Sequence, residues 1–199
     1  MKFIDQDWVE KLSEDDKFLP SHGAKDGFLG GGMLYYALAY MSRSSCSICL
    51  GSGGGFVPKI MRLAQYDLGI HCDSTTYLVD ANMPEAGWGE PNYHDKETSF
   101  TKDFDVQIVR KKTEDAWPDF AVCDIGYLHI DADHSYEGVR HDFNMYSKNL
   151  RKDGFITLHD TIPRTAGVWL LVEQLRADKS WQVMNLRIGM GVAIITRSI

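Results

Sequence analysis

The stretch SICLGSGGGFVPKIMRLA, residues 47–64, decides the fold. Ser47-Ile48-Cys49-Leu50 is a short apolar run that stops at Gly51-Ser52-Gly53-Gly54-Gly55. Val57, Ile60, Met61 and Ala64 follow at i, i+3, i+4 and i+7, the spacing of one helical face. The reading is strand, glycine turn, helix. Glycines at such a turn let the backbone bend sharply and approach a ligand with no Cβ in the way. A dinucleotide fingerprint, G-x-G-x-x-G, would put its third glycine at position 56, which is Phe56. The order G-x-G-x-G suits a nucleoside-bearing ligand with no pyrophosphate to cradle. A turn without a ligand is the bland reading, and glycine's entropic cost counts against it.

Working outward, the same alternation repeats. Thr76 to Val79 reads as a strand closing on Asp80, Val106 to Val109 as a third, and Tyr127 to Ile130 as a fourth ending in Asp131. Val139, Phe143, Tyr146 and Leu150 mark a helical stripe, with Gly154 placed as its C-cap. Phe155 to Leu158 is a fifth strand running into His159-Asp160, and residues 165–177 read as a helix. Strands over 181–187 and 191–196 flank Gly189 and, joined so tightly, form an antiparallel hairpin. On the N-terminal side, Ile4, Trp8 and Leu12 make a helical stripe, 18–27 a loop, and 28–42 a helix with Met33, Ala37 and Met41 on one side. The expectation is an α/β fold: a Rossmann-like, doubly wound, mostly parallel seven-stranded sheet. It has helices on both faces and an antiparallel C-terminal edge hairpin. One domain spans 1–199, with 1–44 a helical lid on the acceptor side and 45–199 the cofactor-binding core.

Composition narrows the function classes. The 199 residues are 44% apolar and 25% charged, enough for a core, and 21 basic against 28 acidic residues give a net charge of −7. With no long basic run, a nucleic-acid surface is not suggested. No apolar run approaches the roughly 20 residues that span a bilayer. The acidic, amphipathic N-terminus has no basic start or apolar stretch of a secretory signal. Four cysteines in a chain this long make no disulfide framework, so the expected setting is reducing and cytoplasmic.

In doubly wound sheets ligands lie beyond the carboxyl ends of the strands. Asp80 stands where an acid accepts hydrogen bonds from ribose hydroxyls. The fourth and fifth strand tips bring Asp131-Ala132-Asp133-His134 near His159-Asp160-Thr161. Two carboxylates with water and substrate oxygens suit a hard divalent cation such as Mg²⁺. His134 can reach over that site and take a hydroxyl proton at neutral pH. The competing reading is that the cluster caps the helix beginning near Ser135.

These residues carry a resemblance. Cys49 to Gly55 (CLGSGGG), Asp80, IDADHSYEGVRHD over 130–142 and LHDT over 158–161 resemble class I S-adenosylmethionine-dependent methyltransferases. Within that class, they resemble the metal-dependent small-molecule O-methyltransferases, which include catechol-type, macrolide-sugar and aminocoumarin-sugar enzymes. The resemblance covers about 45–196. It implies that Gly51, Ser52, Gly53 and Gly55 contact the methionine and ribose portions of the cofactor, and that Asp80 with Ala81 holds the ribose. Thr113 and Glu114 would flank the adenine. Asp131 would border the cofactor and, with His159 and Asp160, bind the metal. His134 falls at the general-base position, where sugar-specific members carry histidine. Cys49 departs from the acid the family usually has two residues before its first motif glycine.

The implied reaction is transfer of a methyl group to a small-molecule hydroxyl, a sugar or natural product before a catechol. Possible substrate-side residues are His22, Trp88 and Asp133. A homo-oligomer stays open; nucleic acid and membrane are not expected partners. Two other readings compete: a nicotinamide-dependent oxidoreductase or epimerase, and a non-catalytic cofactor-binding module. Phe56 and the lack of a Tyr-x-x-x-Lys pair count against the former. Cys46-x-x-Cys49 reads as core packing, because residues three apart on a strand face opposite sides.

Overall fold

A computed structural model describes residues 4–13, 18–52, 54–81 and 103–198. Gly53 and Trp88 lie outside the described residues, so nothing is said of their placement. The strands are β1 (Cys46–Leu50), β2 (Thr75–Val79), β3 (Gln107–Val109), β4 (Ile125–Ile130), β5 (Leu150–His159), β6 (Trp181–Leu186) and β7 (Val192–Arg197). They form one sheet in the order β3-β2-β1-β4-β5-β7-β6. From β3 to β5 every pairing is parallel, whereas β7 runs antiparallel to both β5 and β6. The chain reverses direction across the sheet at β1 and β4, the switch point of a doubly wound fold.

The helices are α1 (Gln6–Ser13), α2 (Gly32–Ser42), α3 (Phe56–Asp67), α4 (Thr113–Phe120), α5 (Tyr136–Tyr146) and α6 (Ala166–Ala177). Two apolar layers follow. Leu12, Tyr35, Phe56, Ile60 and Met61 pack with Leu78 and Tyr127 on one sheet face. Phe120, Val139, Phe143, Leu171 and Val172 pack with Ile48, Leu50 and Leu128 on the other. Every residue of β1 and β4 is buried, as expected for parallel strands covered on both sides. Each fully buried leucine or isoleucine contributes about 1.5–3 kcal/mol of burial free energy. Cys49 belongs to the first layer and Cys46 to the second, so the C-x-x-C pair is core packing split across the sheet.

One local expectation is corrected, and one gains an orientation that the sequence left open. Gly154 is not a C-cap: α5 ends at Tyr146, a 3-10 turn follows over Ser147–Asn149, and Gly154 lies inside β5. The fit is close there: a Cβ would sit 2.9 Å from Leu150 Cδ1 and 3.1 Å from the Gly126 carbonyl oxygen. The Met33–Ala37–Met41 side of α2 faces outward, and Tyr35, Leu38 and Ala39 face the core. All three outward residues are apolar, so polarity alone could not orient this helix. No helix among the described residues is long and apolar enough to cross a membrane.

Candidate active site

The glycine bend is stitched to both neighbouring strand tips. Gly51 N–H donates to the Val79 carbonyl at 2.8 Å, and Asp131 N–H donates to the Leu50 carbonyl at 2.8 Å. Gly51 has φ +67°, and a Cβ there would lie 2.4 Å from the Asp131 carbonyl oxygen. The bend therefore requires glycine both for its backbone conformation and for its contact with β4. Buried Cys49 donates its thiol to the Gly51 carbonyl at 3.0 Å. Burial first, then the charges of Asp131 and Asp80, push its pKa well above the usual thiol value, so it acts as a neutral brace.

A cavity of about 500 Å³ opens above these tips. Gly51, Ser52, Asp80, Ala81, Thr113, Glu114, Asp131, Asp133 and His134 all line it. Nine of the expected site residues thus line one cavity, together with Lys111 and Lys112. Ser52 Oγ is buried without a hydrogen-bond partner there, a polar atom left for a ligand. Gly55 starts α3 at φ +82° and shapes the bend without lining the cavity.

At the β4 and β5 tips, four histidines surround two carboxylates. His159 Nδ1 lies 3.2 Å from Asp131 Oδ1 and 3.6 Å from Asp160 Oδ1. His134 Nε2 lies 3.3 Å from Asp131 Oδ1 and 3.3 Å from Asp160 Oδ2. His129 Nε2 is 3.9 Å from Asp131 Oδ2, too long for a hydrogen bond but close enough to matter electrostatically. The His22 ring packs against His159, tilted by 31°, with centroids 4.2 Å apart. Potential ligand atoms converge within 4.8 Å in two groups that share Asp131: His22, Asp131 and His159, and Asp131, His134 and Asp160.

Local sequence explains this placement. Asp160 has φ +55°, a left-handed conformation that Asp tolerates better than most residues, and it sits next to the reactive cluster. Ser135 caps α5, its hydroxyl accepting from Gly138 N–H at 3.1 Å. Asp133 Oδ1 accepts from Ser135 N–H at 2.8 Å, so one carboxylate oxygen is already committed to the turn. Gly167 brings α6 against this loop, because a Cβ there would be 2.2 Å from the His134 carbonyl oxygen. The capping reading holds for Ser135 and Asp133, while Asp131 and His134 face the cavity and leave the cap to them.

The electrostatics set the protonation states. Burial favours a neutral Asp131, but the His159 charge, the nearby His129 ring and the hydrogen bonds from His134 and His159 overrule it and hold the carboxyl well below its usual range. Burial alone would lower His159; the carboxylates of Asp131 and Asp160 instead lift it to about 9. The Asp131 hydrogen bond raises His134. Burial, and then the His159 charge, lower His22 to about 3, so its ring is neutral. Burial raises Asp160.

The residue-by-residue reading missed His129. It shares a strand face with Tyr127 and Asp131 at two-residue spacing, a signal present in YLHID but masked by the apolar run. Its Nδ1 meets Thr157 Oγ1 at 2.7 Å, and Thr157 Oγ1 meets Tyr127 OH at 3.1 Å.

Residues 50–161 match the family model described as Methyltransferase domain, and the chain belongs to that family. No curated protein sequence matches it. Among solved structures, the Bacillus cereus O-methyltransferase in complex with S-adenosylhomocysteine is 14% identical, with a TM-score of 0.70, covering 98% of this chain and 93% of that one. TomG from Streptomyces achromogenes, an O-methyltransferase involved in tomaymycin synthesis and solved with S-adenosylmethionine, is 12% identical, with a TM-score of 0.66, covering 99% and 100%. The Podospora anserina methyltransferase bound to S-adenosylhomocysteine is 12% identical, with a TM-score of 0.62, covering 85% and 78%. At these identities the likeness is one of fold.

Proposed function

We propose that the chain transfers the methyl group of S-adenosylmethionine to a hydroxyl oxygen of a small molecule, assisted by a divalent cation. One observation carries the reading: the glycine bend, Asp80 and Thr113-Glu114 share a cavity with Asp131 and His134. The sulfonium donor supplies an electrophilic methyl group. Gly51 and Ser52 would hold its methionine and ribose portions, and Asp80 with Ala81 the ribose hydroxyls. Thr113 and Glu114 would flank the adenine, leaving Asp131 at the boundary with the acceptor. Ser52 Oγ, buried and unpartnered in that cavity, fits such a polar ligand.

His134 would remove the acceptor proton. Its Nε2 faces Asp131 and Asp160, so Nδ1 is the nitrogen turned away from the carboxylates and suited to accept it. The paired carboxylates would stabilise the imidazolium that forms. Alignment of acceptor and donor within one enclosure supplies the rest.

Asp131 and Asp160, whose potential ligand atoms fall in one group within 4.8 Å together with that of His134, would hold the cation, with His159 Nδ1 3.2 and 3.6 Å from their oxygens. Mg²⁺ is the starting assignment from the two carboxylates. Such an ion lowers the pKa of a bound hydroxyl and orients it. Histidine at the base position supports a sugar diol as acceptor ahead of a catechol. His22, packed against His159, supports the N-terminal residues 1–44 as the acceptor-side lid. The family match favours this reading over a nicotinamide enzyme.

The test is methyl transfer from labelled S-adenosylmethionine to sugar diols and catechols, with and without EDTA. The expected result is EDTA-sensitive product, reduced about 10²–10⁴-fold in His134→Ala. Turnover unchanged by EDTA would remove the cation from the mechanism. Donor binding without product across the panel would favour the non-catalytic module.

A further inference from the structure

We propose that the bound cation is a transition-metal ion with affinity for imidazole, and that His22 ligates it together with Asp131 and His159. This rests on the metal-assisted reading above and adds to it the class of ion and a ligand from the N-terminal segment.

Three observations support it. First, the donor atoms of His22, Asp131 and His159 lie within 4.8 Å of one another. Two imidazoles and one carboxylate suit Fe²⁺, Co²⁺, Ni²⁺ or Zn²⁺, whereas Mg²⁺ prefers an all-oxygen shell. Second, each imidazole has its remote nitrogen already anchored. His22 Nδ1 meets Tyr35 OH at 3.1 Å, and His159 Nε2 donates to the Ser21 carbonyl at 3.1 Å. His159 Nδ1 is thereby left 3.2 Å from Asp131 Oδ1, and His22 presents Nε2 as its second nitrogen. Anchoring of the non-ligating nitrogen is how metal-binding histidines are oriented. Third, His129 is fully buried and its Nε2 has no hydrogen-bond partner, yet it lies 3.9 Å from Asp131 Oδ2. An unpartnered polar nitrogen beside the cluster is compatible with a polar or charged group held there.

The backbone fixes His22 in place. It ends the 3-10 turn Leu19–His22, and its carbonyl accepts from Gly31 N–H at 2.9 Å. A Cβ at Gly30 would lie 1.9 Å from the Gly23 carbonyl oxygen, so the glycines at 30 and 31 let the α2 entry close over this turn. Packing alone does not account for a buried imidazole here. A leucine or phenylalanine would fill the space beside Phe56 without a polar ring to desolvate.

The experiment uses the full chain stripped of metal by a chelator. Co²⁺ is titrated by absorbance and calorimetry, with Mg²⁺ as competitor, on wild type, His22→Gln, Tyr35→Phe and Asp131→Asn. The expected result is one Co²⁺ per chain, not displaced by excess Mg²⁺. Affinity should fall about a hundredfold in His22→Gln and about tenfold in Tyr35→Phe. Electron paramagnetic resonance of the Cu²⁺-loaded protein should show two coordinated imidazoles in wild type and one in His22→Gln, a readout that a folding defect would not mimic. If His22→Gln keeps wild-type affinity and two imidazoles while Asp131→Asn loses the ion, His22 is not a ligand and the metal-assisted reading stands. Ready displacement of Co²⁺ by Mg²⁺ overturns the ion class. Failure of the wild type to bind any of these ions overturns both readings.

Discussion

Gly51 shows how one residue serves fold and site together. Its φ of +67° and the 2.4 Å approach of a would-be Cβ to the Asp131 carbonyl oxygen leave no room for a side chain. Gly51→Ala should destabilise the protein by about 1–3 kcal/mol, the usual cost of such strain, and weaken donor binding. Urea unfolding and calorimetry check both, and wild-type values in each would contradict the account. Asp160 offers the converse test, since its left-handed backbone at φ +55° favours glycine over alanine. Asp160→Gly should be about 1 kcal/mol more stable than Asp160→Ala while both lose the carboxylate. Equal unfolding midpoints would argue against strain at this position. Asp131 and Asp160 were legible in the sequence as candidates because they follow predicted strands, and His134 because it lies three residues after Asp131. His129 was hidden inside an apolar run, where its placement depends on which face of the sheet its strand position takes.

At the scale of elements, α5 carries a buried acid. Asp142 is 2% exposed, and one of its oxygens has no hydrogen-bond partner. Burial first, with the nearby charges of Glu114 and Asp133, raises its pKa from 3.8 to about 7. The folded state therefore holds a proton that the unfolded chain releases between those values. Stability from this group is present at acidic pH and is lost as pH rises towards 7, by up to a few kcal/mol. Asp142→Asn should flatten that loss, raising stability at pH 8 relative to wild type more than at pH 4. Unfolding free energies measured across that range check the sign, and a parallel pair of curves would contradict it. Helix and strand order was readable from periodicity and glycine punctuation, but two details were not. Gly154 resembled a cap because strand glycines and cap glycines look alike in sequence; only contact with Leu150 and Gly126 distinguishes them. The orientation of α2 depended on tertiary packing, because apolar residues lie on more than one of its faces.

Across the whole molecule, the alternating strands and helices set the switch point, and with it the carboxyl end of the sheet where Asp80, Asp131 and Asp160 follow their strands. The N-terminal turn was harder to place. It reaches the site only by long-range contacts: the Ser21 carbonyl accepts from Met190 N–H at 2.7 Å and from His159 Nε2 at 3.1 Å. No local spacing encodes such contacts. Gly189 permits them, since a Cβ there would lie 2.0 Å from the Ser21 carbonyl oxygen. Gly189→Ala should loosen this turn, seen as faster proteolysis within residues 18–30 with the rest of the chain resistant; wild-type cleavage rates would count against that coupling. The most direct test of the central claim is calorimetric titration of S-adenosylmethionine into wild type and Asp80→Ala. One site per chain is expected, weakened at least about tenfold by loss of the ribose-facing acid. Absence of donor binding to the wild type, or identical binding by Asp80→Ala, would contradict the assignment of this cavity.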